Sequence, residues 1–154
     1  MAHSHTIVVA VNSAPASLEA LALACTAAKQ RKSKIYGVHV IEVARSLPLN
    51  AELEADARKA EQVLRKAEQA AAAMGSTITG ELLQARDAGQ AIVDEALDKE
   101  ADVIVLGVPA GSKVGESRLG RTASFVLKHA ACDVWLVRQG TSKTRTHDEE
   151  EHGR

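Results

Sequence analysis

The residue types in this chain best suited to chemistry lie between positions 101 and 138, in ADVIVLGVPAGSKVGESRLGRTASFVLKHAACDVWLVR. Ala101 to Leu106 is a short apolar run rich in β-branched residues, the pattern of a strand buried on both faces. Gly107 is expected to end it. Gly120 then stands just before a helical pattern, Thr122 to Ala131, and Pro109, Gly111, Ser112 and Gly115 lie between the two glycines. A loop of small residues leading from a buried strand to a helix N-terminus presents unpaired backbone N–H groups where the helix dipole favours an anion. The chemistry this arrangement suits is phosphate binding.

Each of these residues also has a plainer role. A glycine ending a strand or preceding a helix often serves only the turn. Arg121 is unfavourable for the dipole at a helix start. It could clamp a phosphate bidentately, or fill the site and pair with an Asp or Glu elsewhere. Asn12, at the end of a predicted strand, suits an Asx-turn as well as a ribose contact. Asp87 fits a helix cap better than an acid catalyst. Lys113 and Arg118 read as solvated loop charges. His39 on a strand and His129 on a helix have no partner at metal-ligand spacing, so both read as structural. His3, His5, His147 and His152 fall in terminal segments read as disordered.

No catalytic constellation emerges. Ser13, Ser112 and Ser117 lack a G-x-S-x-G context. Gly111-Ser112-Lys113 lacks the upstream glycine and the residue order of a P-loop. Cys25 and Cys132 have no C-x-x-C partner and read as small buried hydrophobes in a reducing compartment.

Composition narrows the function classes further. The 154 residues carry a net charge of −1, which implies no field for binding a polyanion. Aromatics are limited to Tyr36, Phe125 and Trp135, too few for the stacking platforms of single-stranded nucleic-acid binding. The first residues, MAHSHTIVVAV, lack a basic segment followed by a long apolar one. No run approaches the roughly 18 apolar residues of a transmembrane helix. A cytoplasmic protein without direct membrane insertion is expected.

The elements that must position the loop follow from periodicity. Thr6 to Val11 is an apolar strand broken at Asn12 to Pro15, and Pro15 suits a helix's first turn. Leu18, Leu21, Ala22 and Cys25 recur at helical spacing from Ser17 to about Gln30. Lys34 to Glu42 is a second strand, in which Gly37 suggests close packing against a helix. The longest helix runs from about Ala51 to Met74, with the stripe Leu53, Ala57, Ala60, Leu64, Ala67, Ala71 and Met74, and stops at Gly75. Thr77 to Gln84 is a third strand. Ala88 to Lys99 is a helix with Ile92, Val93, Ala96 and Leu97 as its apolar face. Asp133 to Arg138 is the fifth strand. Unbroken βα alternation predicts a parallel sheet with helices on both faces. Residues 1–138 form one expected domain, and the polar segment 139–154 reads as a disordered tail.

The segment around Gly107 and Gly120 resembles the C-terminal half of the universal stress protein family. Its nucleotide-binding members carry Gly, two residues, Gly, nine residues, then Gly followed by Ser or Thr. Gly107 and Gly120 fit the outer positions. Ala110 occupies the middle one, with Gly111 one residue late, and Arg121 replaces the Ser or Thr, with Thr122 next. The stretches VVAVNSAPAS, VHVIE and QARDAGQAIVDEALDKEADVIVLG extend the resemblance to about residues 5–138.

The resemblance implies an open, Rossmann-like five-stranded parallel sheet in the order 3-2-1-4-5. The chain then reverses between strands 1 and 4, and ligands bind beyond the C-terminal strand ends at such a point. It implies a regulatory site for an adenine nucleotide, ATP first among the candidates and Mg²⁺ as a companion. The site residues it implies are Ala10, Val11, Asn12, Val40, Leu106, Gly107, Ala110, Gly111, Gly120, Arg121 and Thr122. Asn12 stands where the family usually has Asp, keeping an acceptor oxygen but losing the charge. Strand 5, with Val134 and Leu136 on one face and Trp135 and Val137 on the other, is implied to pair with its copy in a homodimer. The pattern LGRTxxxVLKHAxC resembles a subgroup found as domains or companions of membrane transporters. A nucleotide-independent accessory dimer is therefore the first alternative, and a slow nucleotide hydrolase the second.

Overall fold

The computed structural model describes residues 5–109 and 120–140. Its elements alternate throughout: β1 (Thr6–Ala10), α1 (Pro15–Arg31), β2 (Lys34–Glu42), α2 (Glu54–Ala73), β3 (Thr79–Ala85), α3 (Ala88–Asp98), β4 (Val103–Val108), α4 (Arg121–His129) and β5 (Asp133–Arg138). The five strands form one sheet in the order β3-β2-β1-β4-β5. Every neighbouring pair is parallel. The strand order expected from the resemblance is the order observed.

The central strands carry apolar side chains on both faces because helices cover both. On one side Ile7, Val9, Val103 and Val105 meet α1 and α2 through Ala20, Leu21, Ala24, Ala67 and Ala71. On the other, Val8, Val38, Ile104 and Leu106 meet α3 and α4 through Ile92, Val93, Ala96, Ala123 and Val126. Alanine at the helix contacts lets the helix axes approach the sheet closely, which explains why so few aromatics suffice.

Local chemistry sets the ends of the elements. Pro15 occupies the first turn of α1, whose end is closed by Lys32 in the left-handed region at φ 53°. Gly75, at φ 74°, follows α2.

Several expectations need correction. Gly107 does not end β4; it lies inside it, paired with Val137 of β5. A Cβ built there would sit 2.2 Å from the Ala16 carbonyl oxygen, so α1 begins directly against this strand. Leu97 is not on the buried face of α3, being 57% exposed. Gly37 approaches Ile78, in the loop before β3, rather than a helix. The helix α2 starts at Glu54, because residues up to Leu53 are engaged in the turn that crosses from β2.

Candidate functional site

Hydrogen bonds tie the C-terminal end of β1 to β2 and to the start of α1. After Ala10 the chain leaves the sheet. Val11 N still donates to Val38 O at 2.8 Å. The Ser17 hydroxyl accepts from Asn12 N at 2.9 Å, tying the β1 exit to the start of α1. Asn12 Oδ1 accepts from Ala14 N at 2.8 Å. That is the Asx-turn anticipated as the plainer role, and it leaves the side-chain amide donors of Asn12 unengaged by this bond. His39 Nδ1, as a donor, reaches Val11 O at 2.8 Å and fixes the same corner from β2.

Two clefts open around that corner. The smaller, of about 200 Å³, is lined by Ala10, Val11, Asn12, Val40, Leu106, Gly107, Gly120, Arg121 and Thr122, together with Val38, His39, Ala88, Ile92 and Ala123. It lies at the reversal of strand order between β1 and β4. The structure thus brings together every candidate binding residue among those it describes. Ala110 and Gly111 lie outside the described residues, as do Ser112, Lys113, Ser117 and Arg118.

The larger cleft, of about 470 Å³, shares Val11, Asn12, His39 and Val40 with the first and continues toward α2. Its further walls include Leu18, Ile41, Glu42, Lys59, Val63 and Lys66. Its volume is within the range of small-molecule pockets, roughly 300–1,000 Å³, and that of the smaller cleft is below it. The two clefts meet at these shared residues. Sequence reasoning missed the α2 wall. Lys59 and Lys66 stand one heptad apart on the longest helix, a spacing that places them on one face, but nothing in the sequence shows which face meets a cavity.

Neither helix start at the smaller cleft is capped by its own N-cap side chain. Gly120, at φ 86°, precedes α4 and makes no side-chain cap. Among the described residues a Cβ there would meet nothing within 4 Å, and its requirement is conformational. Asp87 takes the N-cap position of α3 but makes no side-chain capping bond. Glu42 Oε2 instead accepts from Ala88 N at 2.9 Å. Arg121 projects outward, 80% exposed, and its Nη2 lies 3.5 Å from Glu42 Oε1. Of the two roles open to Arg121, the geometry shows pairing with a carboxylate. At that exposure the pair contributes little to stability.

The β2–α2 crossing that bounds the larger cleft is also organised by β3. The Arg86 guanidinium donates to the carbonyls of Ala44 at 2.5 Å and Leu47 at 2.7 Å. Gln84 Nε2 donates to Leu49 O at 2.8 Å. Among the described residues no group of three His, Cys, Asp or Glu side chains could hold a metal ion. Nor is any helix there long and apolar enough to cross a membrane.

Comparison with known proteins gives a consistent result. The sequence model of the Universal stress protein family matches residues 3–138. A universal stress protein of Methanocaldococcus jannaschii is 30% identical over 139 residues, covering 86% of this chain and 81% of that protein. A solved universal stress protein from Archaeoglobus fulgidus superposes with a TM-score of 0.74 at 25% identity, covering 86% of this chain and 98% of the other. A structure from the same organism, described as a complex with dAMP, gives 0.72 at 24% identity, covering 89% and 99%.

Proposed function

The chain belongs to the universal stress protein family, and on that premise we propose that it binds an adenine nucleotide in the crevice between β1 and β4. The observation that carries this reading is the smaller cleft. It gathers the ends of β1 and β4 and the start of α4 at the point where strand order reverses. Fold relatives described with dAMP, cAMP and AMP lend support.

In this reading the nucleoside lies against Val11, Asn12 and Val40, where the two clefts meet. The phosphate end faces the first turn of α4. There the N–H groups that follow Gly120 have no partner within the helix and the dipole is positive. ATP is the first ligand to test, with and without Mg²⁺. The function is ligand-dependent regulation rather than catalysis.

We further propose a homodimer through β5. The strand is an edge of the sheet, and Trp135 is 37% exposed on it. An edge strand presents unpaired N–H and C=O groups, and antiparallel pairing with a second copy satisfies them.

The alternative, an accessory dimer that needs no nucleotide and could serve a membrane transporter, is favoured by one observation. Glu42 already answers Arg121 and the start of α3. Denaturing the purified protein and chromatographing the supernatant separates the two readings. An adenine nucleotide near one per chain supports the binding site. Its absence, joined to flat titrations, supports the accessory role.

A further inference from the structure

Glu42 is the last residue of β2, and its carboxylate sits where two helices begin. One oxygen accepts from the N–H of Ala88, the first residue of α3, at 2.9 Å. The other lies 3.5 Å from the guanidinium of Arg121, the first residue of α4. Neither helix has an acidic residue in its first turn. This carboxylate therefore answers the start of α3 and the Arg121 guanidinium at once.

Its position relative to the clefts matters as much as its partners. Glu42 lines the larger cleft, whereas Ala88 and Arg121 line the smaller. The pair thus spans the boundary that a ligand occupying both would cross. Arg121, alone, would favour every added negative charge on that ligand. With Glu42 in place, much of that attraction is already answered, and a further phosphate meets a fixed like charge.

We propose that Glu42 is a specificity-determining residue, whose charge turns the crevice toward ligands of low charge, a nucleoside monophosphate over a nucleoside triphosphate. This rests on the reading of the crevice as a nucleotide site. Arg121 is 80% and Glu42 39% exposed, so a water-like dielectric applies. In that medium one unit charge at about 4 Å changes an equilibrium constant by about fivefold. Salt should weaken the effect.

The test is calorimetric titration of AMP and of ATP into the wild type and Glu42→Gln at low ionic strength. Glutamine keeps an acceptor oxygen for Ala88 N and removes only the charge, and circular dichroism confirms that the variant folds. The ratio of ATP to AMP affinity should rise by about fivefold or more in the variant, and the rise should shrink as salt is added. An unchanged ratio overturns the proposal. If neither nucleotide binds either protein, the nucleotide reading itself has failed, and inorganic tripolyphosphate decides the role of Glu42. A larger rise in melting temperature for the variant than for the wild type then supports the charge effect, and equal rises overturn it.

Discussion

Replacing Gly107 by alanine should unseat α1 from the sheet. The added Cβ would lie 2.2 Å from the Ala16 carbonyl oxygen, 2.4 Å from its carbonyl carbon and 2.8 Å from Ser17 N. All three are backbone atoms, so no side-chain rotation relieves the clash. The start of α1 and β4 must part by about 1 Å to reach ordinary contact. A gap of that size forfeits a quarter to a half of each dispersion contact it opens, at about 0.1–0.2 kcal/mol for a full contact. The packing at risk is that of α1 on β4, in the buried cluster that includes Leu21, Ala24, Val103 and Val105. Losing part of it, with the strain of overpacking, amounts to about 2–4 kcal/mol. At about 2–4 °C per kcal/mol for a chain of this size, the melting temperature should fall by about 4–16 °C. Gly120→Ala is the informative contrast. Among the described residues it meets no neighbour within 4 Å, and its backbone at φ 86° and ψ 161° makes the substitution cost about 1–3 kcal/mol. Thermal unfolding of both variants by circular dichroism measures the difference. A Gly107→Ala protein that melts within 2 °C of the wild type would refute the reasoning and show that α1 yields without loss.

Three further outcomes are expected. Burial pushes the Cys25 thiol above its ordinary pKa, against smaller opposing effects of a Ser76 hydrogen bond and Lys29. The folded state therefore holds this proton more tightly than the unfolded chain, so stability should fall as pH rises past about 9. Denaturant midpoints at pH 8 and pH 10 should show a smaller decline for Cys25→Ala, and an equal decline in both proteins would exclude this thiol as a source. Arg121→Ala should change unfolding free energy by less than about 1 kcal/mol, since its ion pair is exposed. It should nevertheless weaken ATP binding, by up to about 1.5–3 kcal/mol if the side chain turns onto phosphate. Unchanged ATP affinity would show that Arg121 serves Glu42 alone. Leu136→Pro removes a ladder donor from β5 and should convert a dimer into a single chain by light scattering, with helical circular dichroism retained. A wild type already monomeric at micromolar concentration would reject the β5 interface.

The order of elements was legible because each announces itself locally. Continuous β-branched runs such as Thr6–Ala10 and Val103–Val108 mark buried strands, and the alanine stripe of α2 marks one buried helix face. Strand order was not legible from periodicity, since parallel strands joined by helices fit several orders. It came through the family motif around Gly107 and Gly120. The local pattern misled at one point: the apolar run Ala101 to Leu106 makes Gly107 read as a strand end, whereas it lies inside β4, where α1 comes too close for any side chain. The requirement comes from a residue some ninety positions away, which no local pattern displays.

The candidate crevice shows the same division. Asn12, Val40 and Gly120 could be placed from strand ends and a helix start. Glu42 could not, because it closes a strand in sequence and touches Ala88 and Arg121 only in three dimensions. Asp87 attracted the capping role by its position next to α3, yet the bond comes from β2. The partner of Arg121 was foreseeable as a class, an acidic residue elsewhere, but not by number.

The central claim, that the crevice between β1 and β4 holds an adenine nucleotide, is tested most directly by calorimetric titration of nucleotide-free protein with AMP, ADP, ATP and cyclic AMP. The account predicts saturable binding of at least one of them near one per chain, with a dissociation constant below about 1 mM. Val40→Arg, which places a long side chain where the two clefts meet, should abolish it without loss of fold. Flat titrations with all four nucleotides, or full binding by Val40→Arg, would contradict it.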